Sequence, residues 1–142
     1  MKIRLMENDE VEKVRELMYK TLSRKSTKKY VNSKSSFTVV ADLDSDIIGV
    51  ATVFIHDNEL VDEKTYFVTN LCVSPDYQRI GVATKMIDYI EEIARKENIK
   101  YIYTLVPVKY YETNKLYEKL KYDIKNINCY RKEIQWVKCM NT

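Results

Sequence analysis

Glycine is nearly absent from this 142-residue chain, which has only Gly49 and Gly81. That scarcity excludes a G-x-G-x-x-G dinucleotide loop and a G-x-x-x-x-G-K-[ST] phosphate loop. Histidine and tryptophan occur once each, and proline twice. The three cysteines, Cys72, Cys129 and Cys139, lack metal-ligand spacing and cannot all pair, so reduced thiols and no bound metal are expected. No stretch approaches the roughly 18 apolar residues of a membrane span. Residues 1–9 lack an apolar core long enough for a signal peptide. These absences read as a cytoplasmic chain with no membrane contact.

The 24 basic and 21 acidic residues leave a net charge of +3, too small by itself to indicate a nucleic-acid partner. The distribution is more telling. Residues 20–34 carry Lys20, Arg24, Lys25, Lys28, Lys29 and Lys34 and no acid. Residues 41–63 carry Asp42, Asp44, Asp46, Asp57, Glu59, Asp62 and Glu63 and no Lys or Arg. Such segregation marks either a working electrostatic surface or two solvated loops.

Polar and apolar residues alternate over 2–6, a short strand. Asn8 or Asp9 caps a helix whose Val11, Val14, Leu17 and Met18 form one stripe to about residue 20. The basic stretch to residue 36 reads as loop or an ill-defined second helix. Strands follow over 37–41 and 47–55, joined by a turn, with Gly49 inside the second. An acidic loop over 56–64 leads to a strand over 65–73. Val82, Met86, Ile87, Ile90 and Ile93 repeat at helical spacing, so a helix runs to about residue 98. A buried strand over 99–106 and a helix over 110–120 come next. A hairpin over 124–128 and 129–137 closes the chain. Strand, helix, strand across 65–106 requires a right-handed parallel crossover. The expected fold is α/β (α+β): one domain over 1–142, with a mixed, mostly antiparallel sheet and helices on both faces.

Residues 70–89, NLCVSPDYQRIGVATKMIDY, are the most informative stretch. The apolar run Leu71, Cys72, Val73 stops at the turn signal Ser74-Pro75-Asp76. A short loop, Gly81 and a helical pattern follow. That order presents free backbone N–H groups at a helix start, a site for an anion. Gly81 has no Cβ, so backbone can approach a ligand there. Gln78, Gly81 and Ala83 fit Q-x-x-G-x-A, and here the chain resembles the GNAT acetyltransferase superfamily. The element order resembles that fold over the whole chain. The motif-level likeness runs over 67–122 and includes the helical NKLYEKLKY segment, residues 114–122.

The resemblance implies a central parallel strand pair that splays to admit CoA, and acetyl-CoA as cosubstrate. It implies acetyl transfer to a primary amine by direct attack in a ternary complex. Leu71, Cys72 and Val73 fall on the strand that contacts the pantetheine arm, with main-chain groups of Leu71 and Val73 making the bonds. Gln78, Arg79, Ile80, Gly81, Val82, Ala83 and Thr84 form the pyrophosphate cradle. Tyr117 aligns with the tyrosine that protonates the departing thiolate, a general-acid role. Asn114 lies three residues earlier on the same helix face and would contact the cofactor.

The chain also departs from the family pattern. Arg79 stands where glycine is common, and Tyr110 where many members carry asparagine. Lys121 replaces the glycine that ends the last helix. A left-handed lysine would cost roughly 1 kcal/mol, so a different helix end is expected. Asn70 occupies a position that is acidic in some members, which leaves Glu63 as the candidate base. Glu59, Asp62, His56 and Tyr66 are further candidates, and Cys72 reads as a packed thiol.

Two other classes stay open at this level. One is a non-catalytic acyl-CoA-binding module on the same fold. The other is a nucleic-acid binder using the basic 20–34 segment and the tyrosines, though no nucleic-acid motif accompanies them. The acidic 41–63 segment suggests a cationic small-molecule acceptor such as a polyamine or aminoglycoside. A peptide amine is the alternative acceptor. Closing hairpins on this fold often dimerise, which makes a homodimer a candidate assembly.

Overall fold

The computed structural model describes residues 1–22, 33–58, 63–125 and 128–135. The Val-, Thr- and Ile-containing segments Ser36–Leu43 (β2), Asp46–Asn58 (β3) and Glu63–Val73 (β4) pair antiparallel. Lys2–Leu5 (β1) adds antiparallel to β2, and Tyr101–Thr104 (β5) adds parallel to β4. The five-stranded sheet has the order β1-β2-β3-β4-β5. Among the described residues three helices accompany it: Val11–Leu22 (α1), Val82–Lys96 (α2) and Tyr111–Lys119 (α3).

Each sheet face takes a helix because the strands alternate. Val40, Val50 and Cys72 point one way and bury Val14, Leu17 and Met18 of α1. Val39, Ala41, Ala51, Val53, Tyr66, Val68 and Val73 point the other way, where Val82, Met86, Ile87, Ile90 and Ala94 of α2 cover them. β3 passes closest to α2 at Gly49. A Cβ there would lie 2.9 Å from Met86 Cε and 3.3 Å from Ala41 Cβ.

β4 carries one extra residue. Val50 faces Cys72 and Thr52 faces Thr69, so Asn70 and Leu71 together oppose Ala51. Asn70 absorbs the insertion with φ 53°. This bulge switches the alternation, placing Val68, Leu71 and Val73 on the α2 side and Cys72 on the α1 side.

Four expectations change. The acidic 56–64 segment is mostly strand: β3 runs to Asn58 and β4 starts at Glu63. Thr-, Phe- and Ile-containing ends keep the hairpin ladder paired past the expected turn. The last helix ends as a glycine-capped helix would. Lys121 adopts φ 67°, with its N–H on Glu118 O (3.1 Å) and the Tyr122 N–H on Tyr117 O (3.0 Å). The Tyr122 ring meets the Tyr117 ring edge-on at 5.1 Å, and that contact offsets the strain.

The closing hairpin is absent from the described residues. Residues 122–125 and 128–135 form no strand, and Ile124, Tyr130 and Ile134 stay exposed. Their alternation has no face to bury, so it carries no ladder. Residues 126–127 and 136–137 of that expected hairpin, and most of the basic 20–34 segment, lie outside the described residues. β5 is therefore the outermost strand described. Finally, the described acids of 41–63 do not form one surface. Asp42, Asp44 and Asp46 sit at the β2–β3 turn, and Asp57 and Glu63 at the far end of β3 and β4. Glu59 and Asp62 are outside the described residues.

Candidate functional site

The parallel pairing of β4 and β5 is short. Thr65 to Val68 pair with Tyr101 to Thr104, after which β5 stops and β4 continues to Val73. Thr104 Oγ1 donates to the Val68 carbonyl at 3.0 Å, pinning the last pair. Beyond it no described strand pairs with that edge of β4. The Ser74 N–H points back to Ile48 O (2.7 Å), so by alternation the backbone of Val73 and Leu71 turns away from β3 toward that edge. The Val73 carbonyl accepts from Gln78 Nε2 at 2.9 Å. Gln78 thus ties the strand end to the loop after it, and its side chain shapes the cradle. The motif signalled Gln78 but not this role.

The loop turns twice through left-handed backbone, at Arg79 (φ 64°) and Gly81 (φ 87°), and then enters α2. Arg79, Ile80 and Gly81 are exposed. Gly81 caps α2 with no side-chain bond, and no acid sits in the first turn. The first N–H groups of α2, on Val82, Ala83 and Thr84, have no carbonyl one turn back within the helix. A Cβ on Gly81 would meet nothing within 4 Å, so open space lies over this uncapped positive helix end. The site fits a diphosphate, and with it the CoA moiety that the motif implies.

Tyr117 lies on the last turns of α3 and is 6% exposed. It joins the α2-side cluster with Tyr66 and Val68. Its hydroxyl is buried and makes no hydrogen bond of good geometry, although the Thr104 hydroxyl, which donates to the Val68 carbonyl, lies close by. Burial raises its pKa above the ordinary tyrosine value, and the Thr104 hydroxyl at the strand split offsets part of that rise. The phenol therefore keeps its proton at neutral pH. A buried hydroxyl left without a good hydrogen bond is costly, on the order of 1–3 kcal/mol. It faces the end of the β4–β5 pair, where a ligand atom could satisfy it.

Asn114 Nδ2 donates to Pro107 O (3.0 Å) and Tyr110 O (2.8 Å). Its amide organises the β5–α3 loop, and its carbonyl oxygen is left over for a ligand. Cys72 points into the α1 cluster. Burial alone pushes its thiol up to about 12, so it is no nucleophile at neutral pH. Glu63 does not converge with the others. It begins β4 five residues before Val68, about 16 Å along a strand. His56 and Tyr66 do not reach Tyr117 Oη either: His56 is exposed opposite Thr65, and Tyr66 packs edge-on against Phe37 at 5.4 Å. Sequence reasoning missed Thr104 and Tyr122, the residues that frame Tyr117. Their only signal was position, at the end of a strand and just after a helix.

Comparisons with known proteins bear on the family and the fold. The chain matches the model of the Acetyltransferase (GNAT) family over residues 5–122. No curated protein matches it significantly. Among solved structures it is similar to the ribosomal-protein-alanine N-acetyltransferase of Brucella melitensis biovar Abortus 2308. The identity is 14% and the TM-score 0.80, covering 94% of this chain and 100% of that one. It is similar to the aminoglycoside acetyltransferase meta-AAC0020 from an uncultured soil metagenomic sample, solved with trehalose, at 14% identity and TM-score 0.82, covering 94% and 96%. It is also similar to AAC(6')-Iy in complex with the bisubstrate analogue CoA-S-monomethyl-acetylneamine, at 17% identity and TM-score 0.79, covering 94% and 98%. Among the described residues no helix is long and apolar enough to cross a membrane. The family model spans most of the sequence, and the chain belongs to the GNAT acetyltransferase family.

Proposed function

We propose that this chain transfers the acetyl group of acetyl-CoA to a primary amine by direct attack within a ternary complex. The observation that carries the reading is Tyr117 Oη: buried, protonated, without a hydrogen bond of good geometry, and set where β5 leaves β4. Acetyl-CoA, when bound, supplies the acetyl group as a thioester. The protein's residues do the rest. Backbone N–H groups of Gly81, Val82, Ala83 and Thr84 hold the diphosphate at the α2 N-terminus. Leu71 and Val73 orient the acyl arm along the edge of β4 past the end of β5, and a backbone N–H there steadies charge developing on the carbonyl oxygen. The amine nitrogen bonds to the carbonyl carbon, the carbon–sulfur bond breaks, and Tyr117 Oη gives its proton to the sulfur. The amine's own proton leaves to water, since Asn70 cannot accept one and Glu63 lies about 16 Å upstream of Val68.

Cys72 takes no part, because a high-pKa thiol packed against α1 cannot form an acyl-enzyme. A small-molecule or peptide amine in the cytoplasm is the acceptor class. The testing experiment mixes the full chain with acetyl-CoA and a panel of polyamines, aminoglycosides, amino acids and peptides, and reads free thiol. Amine-dependent thiol release supports the reading. A raised melting temperature with acetyl-CoA but no release with any amine would instead favour a binding module. Neither release nor a melting shift would overturn both.

A further inference from the structure

Among the described residues the α2 face of the sheet is covered along its length, whereas α1 covers only part of the other face. α1 covers the end around Val40, Val50 and Cys72. Further along the same face, alternation exposes a row of rings. Phe54 is 49% exposed and stands directly across the ladder from Phe67. Phe67 stacks on Tyr103 with centroids 5.4 Å apart and planes at 23°. Tyr103 is followed by Tyr101 at 6.0 Å, itself 42% exposed. This row begins beside the strand split, since Phe67 and Tyr103 immediately precede Val68 and Thr104. It is continuous with the site described above, on the opposite side of the sheet from Tyr117.

The row ends at an acid. Glu63 shares the face of Thr65 and Phe67 by alternation and is half-buried. Asp57 beside it is paired with Lys64 at 3.8 Å, while Glu63 has no ion pair among the described residues. One ring of the row already carries a cation: Lys100 Nζ lies 5.3 Å from the Tyr101 centroid. Ring faces followed by a carboxylate without an ion pair among the described residues, about 16 Å from the split, match a chain of methylenes and ammonium groups.

We propose that the acceptor is a linear aliphatic polyamine, laid along the α1 face with one terminal amine at the β4–β5 split and the other at Glu63. The proposal rests on the acetyltransferase reading above and makes Glu63 a specificity residue. The middle of the chain lies over Phe54, Phe67 and Tyr103. A tetraamine such as spermine reaches Glu63, a monoamine reaches only the rings, and a compact aminoglycoside cannot bridge the two.

The test measures kcat and KM with acetyl-CoA for propylamine, 1,3-diaminopropane, spermidine and spermine, with neamine for comparison. Wild type, Glu63→Gln and Phe67→Leu are compared. The expected result is a KM that falls as the chain lengthens. Glu63→Gln should raise KM for spermine on the order of fivefold, and by more than it raises KM for propylamine. Phe67→Leu should raise KM for every polyamine about three- to tenfold. A KM independent of chain length, an equal effect of Glu63→Gln on all amines, or neamine binding more tightly than spermine would overturn it. Calorimetry of spermine on the CoA-bound protein separates the two readings. Spermine binding weakened by Glu63→Gln without any turnover keeps this site and removes the catalytic reading. Absence of spermine binding removes this inference alone.

Discussion

Tyr117 is one of twelve tyrosines, and its hydroxyl is buried without a hydrogen bond of good geometry. The phenol depends on its surroundings for that state: the edge-on ring of Tyr122, itself bonded to Glu91 Oε1 at 3.4 Å, and the Thr104–Val68 clasp. Gly49 is the other residue set by crowding. Its φ is ordinary, but Met86 and Ala41 leave no room for a methyl group. Gly49→Ala should destabilise the protein by about 1–3 kcal/mol and lower the melting temperature accordingly. An unchanged Tm would mean that Met86 moves aside freely. The strand, loop and helix start around Gln78, Gly81 and Ala83 could be read from the sequence, because the turn signal Ser74-Pro75-Asp76 and the helical spacing after Gly81 are local patterns. The setting of Tyr117 Oη could not, because it depends on Thr104 and Tyr122, which no local pattern links to it.

At the level of elements, helix ends and the sheet edge define the chain. α2 and α3 both close with a left-handed residue, Asn98 (φ 55°) and Lys121 (φ 67°). Ile99 N–H returns to Ala94 O at 2.8 Å and Tyr122 N–H to Tyr117 O at 3.0 Å. Lys121→Gly should therefore stabilise the protein by roughly 1 kcal/mol, checked by denaturant midpoint. A loss of stability would show that the lysine side chain contributes more than its backbone costs.

β1, the turn before α1, and β2 are joined by one ion network. Arg4 bonds Glu10 at 2.6 and 2.9 Å and Asp42 at 3.0 and 3.1 Å. Arg4 holds both carboxyls below their ordinary values. The unfolded chain then binds protons more readily than the folded one. The stabilisation is complete above the unfolded carboxylate pKa of about 4 and fades as pH falls through the lower folded values. Melting temperatures followed from pH 7 to pH 3 should drop more steeply for wild type than for Glu10→Gln, which starts lower. Parallel curves would remove the network from the acid response. Helix and strand periodicity made these elements legible to within a few residues. The extra β3–β4 ladder, and the lack of strand among the described residues after α3, were not legible. Both turn on whether a partner strand and a buried face exist, and those are not local properties of a segment.

For the whole molecule, the order of elements was readable because strand, loop, helix, strand admits one sensible crossover. Charge along the chain was the misleading signal. The described acids of 41–63 are close in sequence but lie at opposite ends of β3, with Asp42, Asp44 and Asp46 at one end and Asp57 and Glu63 at the other. On the proposed reading the sheet separates two jobs: α2 and the Gly81 loop offer an uncapped helix end to the diphosphate, and the α1 face offers rings and a carboxylate to the acceptor. Between them stands Tyr117 at the strand split. The most direct test is a paired measurement on Tyr117→Phe, with acetyl-CoA affinity by calorimetry and amine-dependent thiol release under saturation. The account predicts unchanged affinity and a turnover reduced by 10²–10⁴-fold, the loss of a general acid. Turnover equal to wild type would contradict it and leave Tyr117 as packing.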